Sequence, residues 1–261
     1  MKNILYPICL GVSFLLINII RIIQSLFMTD VSSGFFTSDY ETLGTILNIV
    51  IFAIIIIMMV LSVFDGKKSE TGSLKSKSFL GISQIILGAS FLIEPFLDIY
   101  IPFTIPAFLS VLKSIFLVLS GIVFLYFGFS NFLEKKPRYE FMLIPIVLLI
   151  LRLLVNFICY TGLSDNIYNI YEILMLCCSL FFFLESGKAL CGIRTKYLVY
   201  LKKAFGVASI LLLSICTIPT FILIILENSS YHVSLDSIFT NLFMMIYILA
   251  FLLTKQNCDN K

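Results

Sequence analysis

The feature that most constrains this chain is its succession of apolar runs, each about 20 residues long and separated by short polar links. A bilayer's hydrocarbon layer is roughly 30 Å thick, and at 1.5 Å per residue a helix needs about 20 apolar residues to cross it. Hydrophobic residues fill 60% of the 261 positions, charged residues only 13%, and mean hydropathy is +1.07. Soluble domains carry roughly 25% charged residues, so a soluble core has nowhere to put this much apolar surface. The chain therefore reads as an all-α, polytopic membrane protein with eight transmembrane helices. The first four run Ile4 to Phe27, Leu43 to Phe64, Phe79 to Phe96 and Leu109 to Phe129. The second four run Phe141 to Tyr160, Ile167 to Leu184, Ala204 to Ile225 and Val233 to Leu253.

Lys and Arg set the orientation, because cytoplasmic links are enriched in them. Lys67, Lys68, Lys75 and Lys77 fall in the second link, Lys135, Lys136 and Arg138 in the fourth, and Lys188, Arg194, Lys196, Lys202 and Lys203 in the sixth. Lys2 precedes the first helix, and Lys255 and Lys261 follow the last. The alternate links carry neither Lys nor Arg but hold Asp30, Asp39, Asp98, Asp165 and Glu227. Both termini are therefore expected in the cytoplasm of a bacterial-type plasma membrane. The first apolar run is too long for a signal-peptide core and has no A-x-A-like cleavage site, which makes it a retained helix.

An offset of 131 residues lays helix 1 on helix 5 and helix 2 on helix 6 without a gap. Arg21 then meets Arg152, and Tyr40-Glu41 meets Tyr171-Glu172. Overall identity over this stretch is low, so rare residues carry the signal: the chain has four arginines, and its two intramembrane ones coincide. A repeat of four helices returns the chain to its starting side, so the expectation is a parallel 4+4 duplication of repeats 1–133 and 134–261 about an axis along the membrane normal.

Arg21 sits about six residues below the outer end of helix 1, roughly 9 Å deep at 1.5 Å per residue. A guanidinium there costs about 3 kcal/mol on insertion scales unless it is paired or hydrated. Glu41, opening helix 2, is the expected partner of Arg21, and Glu172 that of Arg152; each carboxylate would also face the positive end of its helix dipole. These four residues are the candidate ligand-binding set. Gln24 and Asn156 lie three and four positions from their arginines and extend the same faces. Asn18, Ser25 and Asn48 add polarity nearby, while Lys113 and Asp236 occupy matched positions near the outer starts of helices 4 and 8.

The pattern admits two readings. In one, the arginines line an outward-facing cavity that takes an anionic small molecule, as in a small transporter or permease-like component. In the other, each pair pins two helices, and the protein is a non-catalytic sensor, immunity or scaffold component working through a membrane-protein partner. An intramembrane lipid-modifying enzyme using Glu41 or Glu172 as base ranks last, since neither has a nucleophile beside it. The one histidine, His232, rules out an H-E-x-x-H zinc site, and no Walker A or G-x-S-x-G sequence appears. No cofactor or metal is expected. The seven cysteines lack CxxC spacing and read as small packing residues. Scattered cations with a net charge of +3 give no basic stripe for nucleic acid.

Overall fold

A computed structural model describes residues 2–29, 36–66, 77–97, 107–133, 137–160, 167–193, 197–226 and 235–254. The helices are α1 (Lys2–Ile23), α2 (Glu41–Gly66), α3 (Lys77–Leu97), α4 (Ala107–Phe132), α5 (Leu143–Tyr160), α6 (Ile167–Leu190), α7 (Leu198–Ile225) and α8 (Leu235–Leu253). Seven of them, α1 to α7, are long and apolar enough to cross a membrane; α8 contributes a shorter apolar helix over Ser237–Leu253. The protein is a helical, multi-pass membrane protein.

Hydropathy located every helix but not its ends. Helix α6 continues past the expected Leu184 to Leu190, taking in Glu185 and Lys188, and α7 begins at Leu198 rather than at Ala204. The apolar run marks the slab of hydrocarbon, whereas backbone hydrogen bonding carries a helix on into polar sequence. What stops α6 is a glycine. Gly192 adopts φ 76°, its N–H bonds to the Ala189 carbonyl at 3.2 Å, and the Ile193 N–H bonds to Lys188 at 3.0 Å. This pair of reversed bonds is a Schellman cap, which needs a left-handed residue at that point.

Helix α7 is the centre of the bundle. In its most apolar 18-residue stretch 67% of the residues are buried, against 17% for α1 and 22% for α2. It packs against α1, α2, α6 and α8, while α3 packs on α4 and α8, and α5 on α4 and α6. The two halves of the chain are thus not separate packing units: α2 lies along α7, and α3 along α8.

The tightest pair is α3 with α4, brought together by glycines facing glycines. A Cβ built on Gly88 would lie 2.9 Å from the Gly121 carbonyl, and one on Gly121 would lie 2.9 Å from the Gly88 carbonyl. Two turns further on, a Cβ on Gly128 would sit 2.9 Å from the Gly81 carbonyl. Small residues at such positions let membrane helices approach until backbone meets backbone, which matters where lipid gives no hydrophobic push. Asn131 Nδ2 donates to Gln84 Oε1 across the same seam at 2.6 Å.

Beside that seam lies an aromatic core. Phe124 of α4 meets Phe91 of α3 at 5.8 Å, Phe183 of α6 at 6.0 Å and Tyr247 of α8 at 5.1 Å between centroids, the last two edge-on. Edge-to-face rings contribute about 0.5–1.5 kcal/mol per pair beyond the area they bury.

Candidate functional site

Two buried polar clusters contain the intramembrane arginines, each built from different helices. The first starts at the last turn of α1, where Arg21 is only 1% exposed. Just beyond it, Gln24–Met28 forms a π-helical turn that buries Gln24, Ser25 and Met28. A π turn inserts an extra residue and re-aims the side chains around it, a device often retained at functional sites. Here it leaves Arg21 Nη1 donating to Gln24 Oε1 at 3.2 Å. Gln24 Nε2 in turn donates to the Gly44 carbonyl and to Asn48 Oδ1, both at 3.1 Å.

Those two bonds tie α1 to α2, the role expected of Glu41. Glu41 itself stands exposed in the first turn of α2. Replacing Gln24 with Leu removes both bonds and the acceptor of the Arg21 bond, and at an average of about 0.6 kcal/mol for an intramembrane hydrogen bond the three amount to about 2 kcal/mol. A loss of that size is the expected result, measured as a shift in the unfolding midpoint in mixed detergent micelles.

Asn48 also accepts the Tyr171 hydroxyl at 3.0 Å, which brings α6 into the cluster. The Arg21 guanidinium lies over the Tyr171 ring, its Cζ 4.9 Å from the centroid, and Phe52 of α2 stacks on the ring at 5.1 Å. A desolvated cation over an aromatic face gains about 2 kcal/mol or more. The neighbouring Glu172 is half-buried, and it and Arg21 both lie within electrostatic reach of Cys216 on α7. Asn18, one turn below Arg21, donates to Ser214 Oγ of α7 at 2.9 Å. Arg21, Gln24, Asn48, Tyr171 and Glu172 thus gather where α1, α2, α6 and α7 meet.

The second cluster differs from the expected pairing. Arg152 of α5 is joined not through Glu172 but to Glu94 of α3, its Nη2 donating to Glu94 Oε2. The same oxygen accepts the Thr240 hydroxyl of α8 at 2.9 Å, and the Arg152 Cζ lies 5.5 Å from the centre of the Phe91 ring. Sequence adjacency favoured α6 as the source of a carboxylate. The face of α5 that bears Arg152 instead turns across the bundle toward α3 and α8. Arg152 and Glu94 are 8% and 5% exposed, so the pair is buried.

Of the supporting residues, Gln24 belongs to the first cluster; Asn156, one turn beyond Arg152, and Lys113 on α4 are half-buried. The Asp236 side chain lies outside the described residues, as does His232. Glu94, Tyr171 and Thr240 were not singled out as site residues. Glu94 carries a usable signal, being a carboxylate inside an apolar run.

Among the described residues, two of the cavities lie on the flanks of the bundle. The larger, about 380 Å³, lies between α3 and α8 and reaches Glu94 and Thr240; the other, about 280 Å³, is lined by α1, α7 and α8. Neither is lined by an arginine. Among the described residues, no group of three or more His, Cys, Asp and Glu side chains is placed to share a metal ion. The chain matches no protein-family model, no curated protein and no solved structure.

Proposed function

We propose that this chain is a non-catalytic component of a bacterial-type plasma membrane, a sensor, immunity or scaffold protein that works by associating with partner helices. Its intramembrane arginines act as ties between helices rather than as the lining of a ligand cavity. The observation that carries this reading is the burial of both guanidiniums inside the bundle, Arg21 with the adjacent Gln24 and with Tyr171 of α6, Arg152 with Glu94 of α3. Surface for association is supplied by α1 and α2, which point Val12, Leu15, Ile19, Ile49, Ile56 and Val60 away from the bundle.

The same proposal holds that α8 is an eighth crossing. Its 19 residues span about 28 Å at 1.5 Å per residue, close to the hydrocarbon thickness. Eight crossings also return the chain to the side of its N-terminus, as the distribution of Lys and Arg asks, with both ends cytoplasmic. The proposed ancestry is a 4+4 duplication of 1–133 and 134–261, supported by the coincidence of Arg21 with Arg152 and of the two Tyr-Glu pairs.

A photoreactive amino acid at Leu15, on the outer face of α1, tests the association in native membranes. The expected result is a discrete protein adduct identified by mass spectrometry; adducts to lipid alone at this and at Ile56 would contradict the proposal.

A second reading, a small transporter-like component, draws support from Glu94, whose ion pair borders the open groove between α3 and α8. It predicts uptake or efflux of a solute by reconstituted vesicles that Glu94→Gln abolishes.

A further inference from the structure

The groove between α3 and α8 joins an apolar trough to one buried charge pair. Its walls come from Ile86, Ala89 and Ile93 on α3 and from Phe239 and Phe243 on α8, with Glu94 and Thr240 at the polar end. Ile86, Ile93 and Phe239 are 38%, 54% and 45% exposed on the outer face of the bundle, so the trough opens sideways, toward lipid in a membrane.

Size decides which kind of molecule fits. One turn of a helix 10 Å across occupies roughly 420 Å³, from its 5.4 Å pitch. A cavity of about 380 Å³ therefore holds less than one turn of a partner helix. It falls within the range of small-molecule sites, roughly 300–1,000 Å³, and its elongated apolar walls suit an alkyl chain.

Charge decides the head group. Glu94 and Arg152 neutralise each other, so a charged head arriving beside them would remain uncompensated in a medium of low dielectric. The pair nevertheless keeps hydrogen-bonding capacity. Arg152 and Thr240 both engage Glu94 Oε2, which leaves Oε1 outside those two bonds, and Glu94 is a member of the groove wall. A hydroxyl donates a hydrogen bond without bringing a charge, so it suits a neutral pair with one spare acceptor.

We infer that this groove binds an uncharged, hydroxyl-bearing amphiphile from the bilayer, its alkyl chain along α3 and α8 and its hydroxyl at the Glu94–Arg152 pair. Such binding needs neither a protein partner nor transport, so its failure leaves both readings above standing.

The test uses the full chain in phosphatidylcholine nanodiscs with hexadecanol bearing a mid-chain diazirine. Saturable labelling of α3 and α8 is expected, displaced by unlabelled hexadecanol. Its methyl ether, which cannot donate, should displace the probe at least about tenfold more weakly, since a hydrogen bond to a charged group contributes roughly 1.5–3 kcal/mol. Ala89→Phe, which fills the trough away from the ion pair, should abolish the saturable part. Labelling that does not saturate, or equal displacement by alcohol and ether on the unaltered chain, would overturn the inference. So would adducts from a photoreactive residue at Ile86 to a second copy of the chain or to another protein, which give the groove a protein occupant.

Discussion

Arg152→Ala is expected to destabilise the bundle by about 3–5 kcal/mol, the range for removing one partner of a buried ion pair and leaving the other charge stranded. Glu94 is 5% exposed, and in the variant it keeps the Thr240 hydroxyl but loses its counter-charge. Part of the loss reflects the Phe91 ring, which faces the guanidinium at 5.5 Å. The double replacement Arg152→Met with Glu94→Leu removes both charges and fills the space with apolar atoms, so it should recover most of the stability. Unfolding in SDS-containing mixed micelles reads both effects. Equal losses for the single and the double variant would mean that packing volume, not charge compensation, accounts for what Arg152 contributes.

Gly88→Leu should be the most damaging substitution in the first half of the chain. The added Cβ would fall 2.9 Å from both the Gly121 carbonyl oxygen and the Leu125 backbone nitrogen. Backbone cannot rotate away as a side chain can, so α3 and α4 must separate along a seam held by three further glycines. Overpacking generally costs about 1–3 kcal/mol, and backbone contact places this site at or above the top of that range. Gly11→Leu is the control, since nothing lies within 4 Å of a Cβ there. A Gly88→Leu protein that unfolds at the same detergent fraction as Gly11→Leu would refute the close-packed seam.

The apolar runs made the helices legible because membrane thickness imposes their length directly on composition. Position along the chain also placed Arg21, Gln24 and Asn48 near one another, since α1 and α2 are joined by a short link. What the runs do not encode is which face of each helix meets which neighbour. Helices that are apolar all round give periodicity little to work with. Glu94 is the clearest case: it lies 58 residues before Arg152, and only the packing of α3 near α5 and α8 makes it the partner. The π turn at Gln24–Met28 was equally hidden, because an extra residue in a turn leaves no compositional mark. Conversely, the expected tie through Glu41 rested on α1 and α2 being neighbours, which they are, but the tie runs through Gln24 to Gly44 and Asn48.

Burial of both intramembrane arginines distinguishes a protein whose charges hold its helices together from one whose charges receive a ligand. Modification of the unaltered chain by an arginine-directed dicarbonyl, in nanodiscs open to reagent from both faces and mapped by mass spectrometry, measures this directly. Arg138, exposed just before the turn that opens α5, provides the internal reference. The arrangement described here predicts rapid modification at Arg138, with Arg21 and Arg152 protected until the bundle unfolds. Modification of Arg21 or Arg152 at the Arg138 rate would place them in a water-accessible cavity and contradict their role as ties.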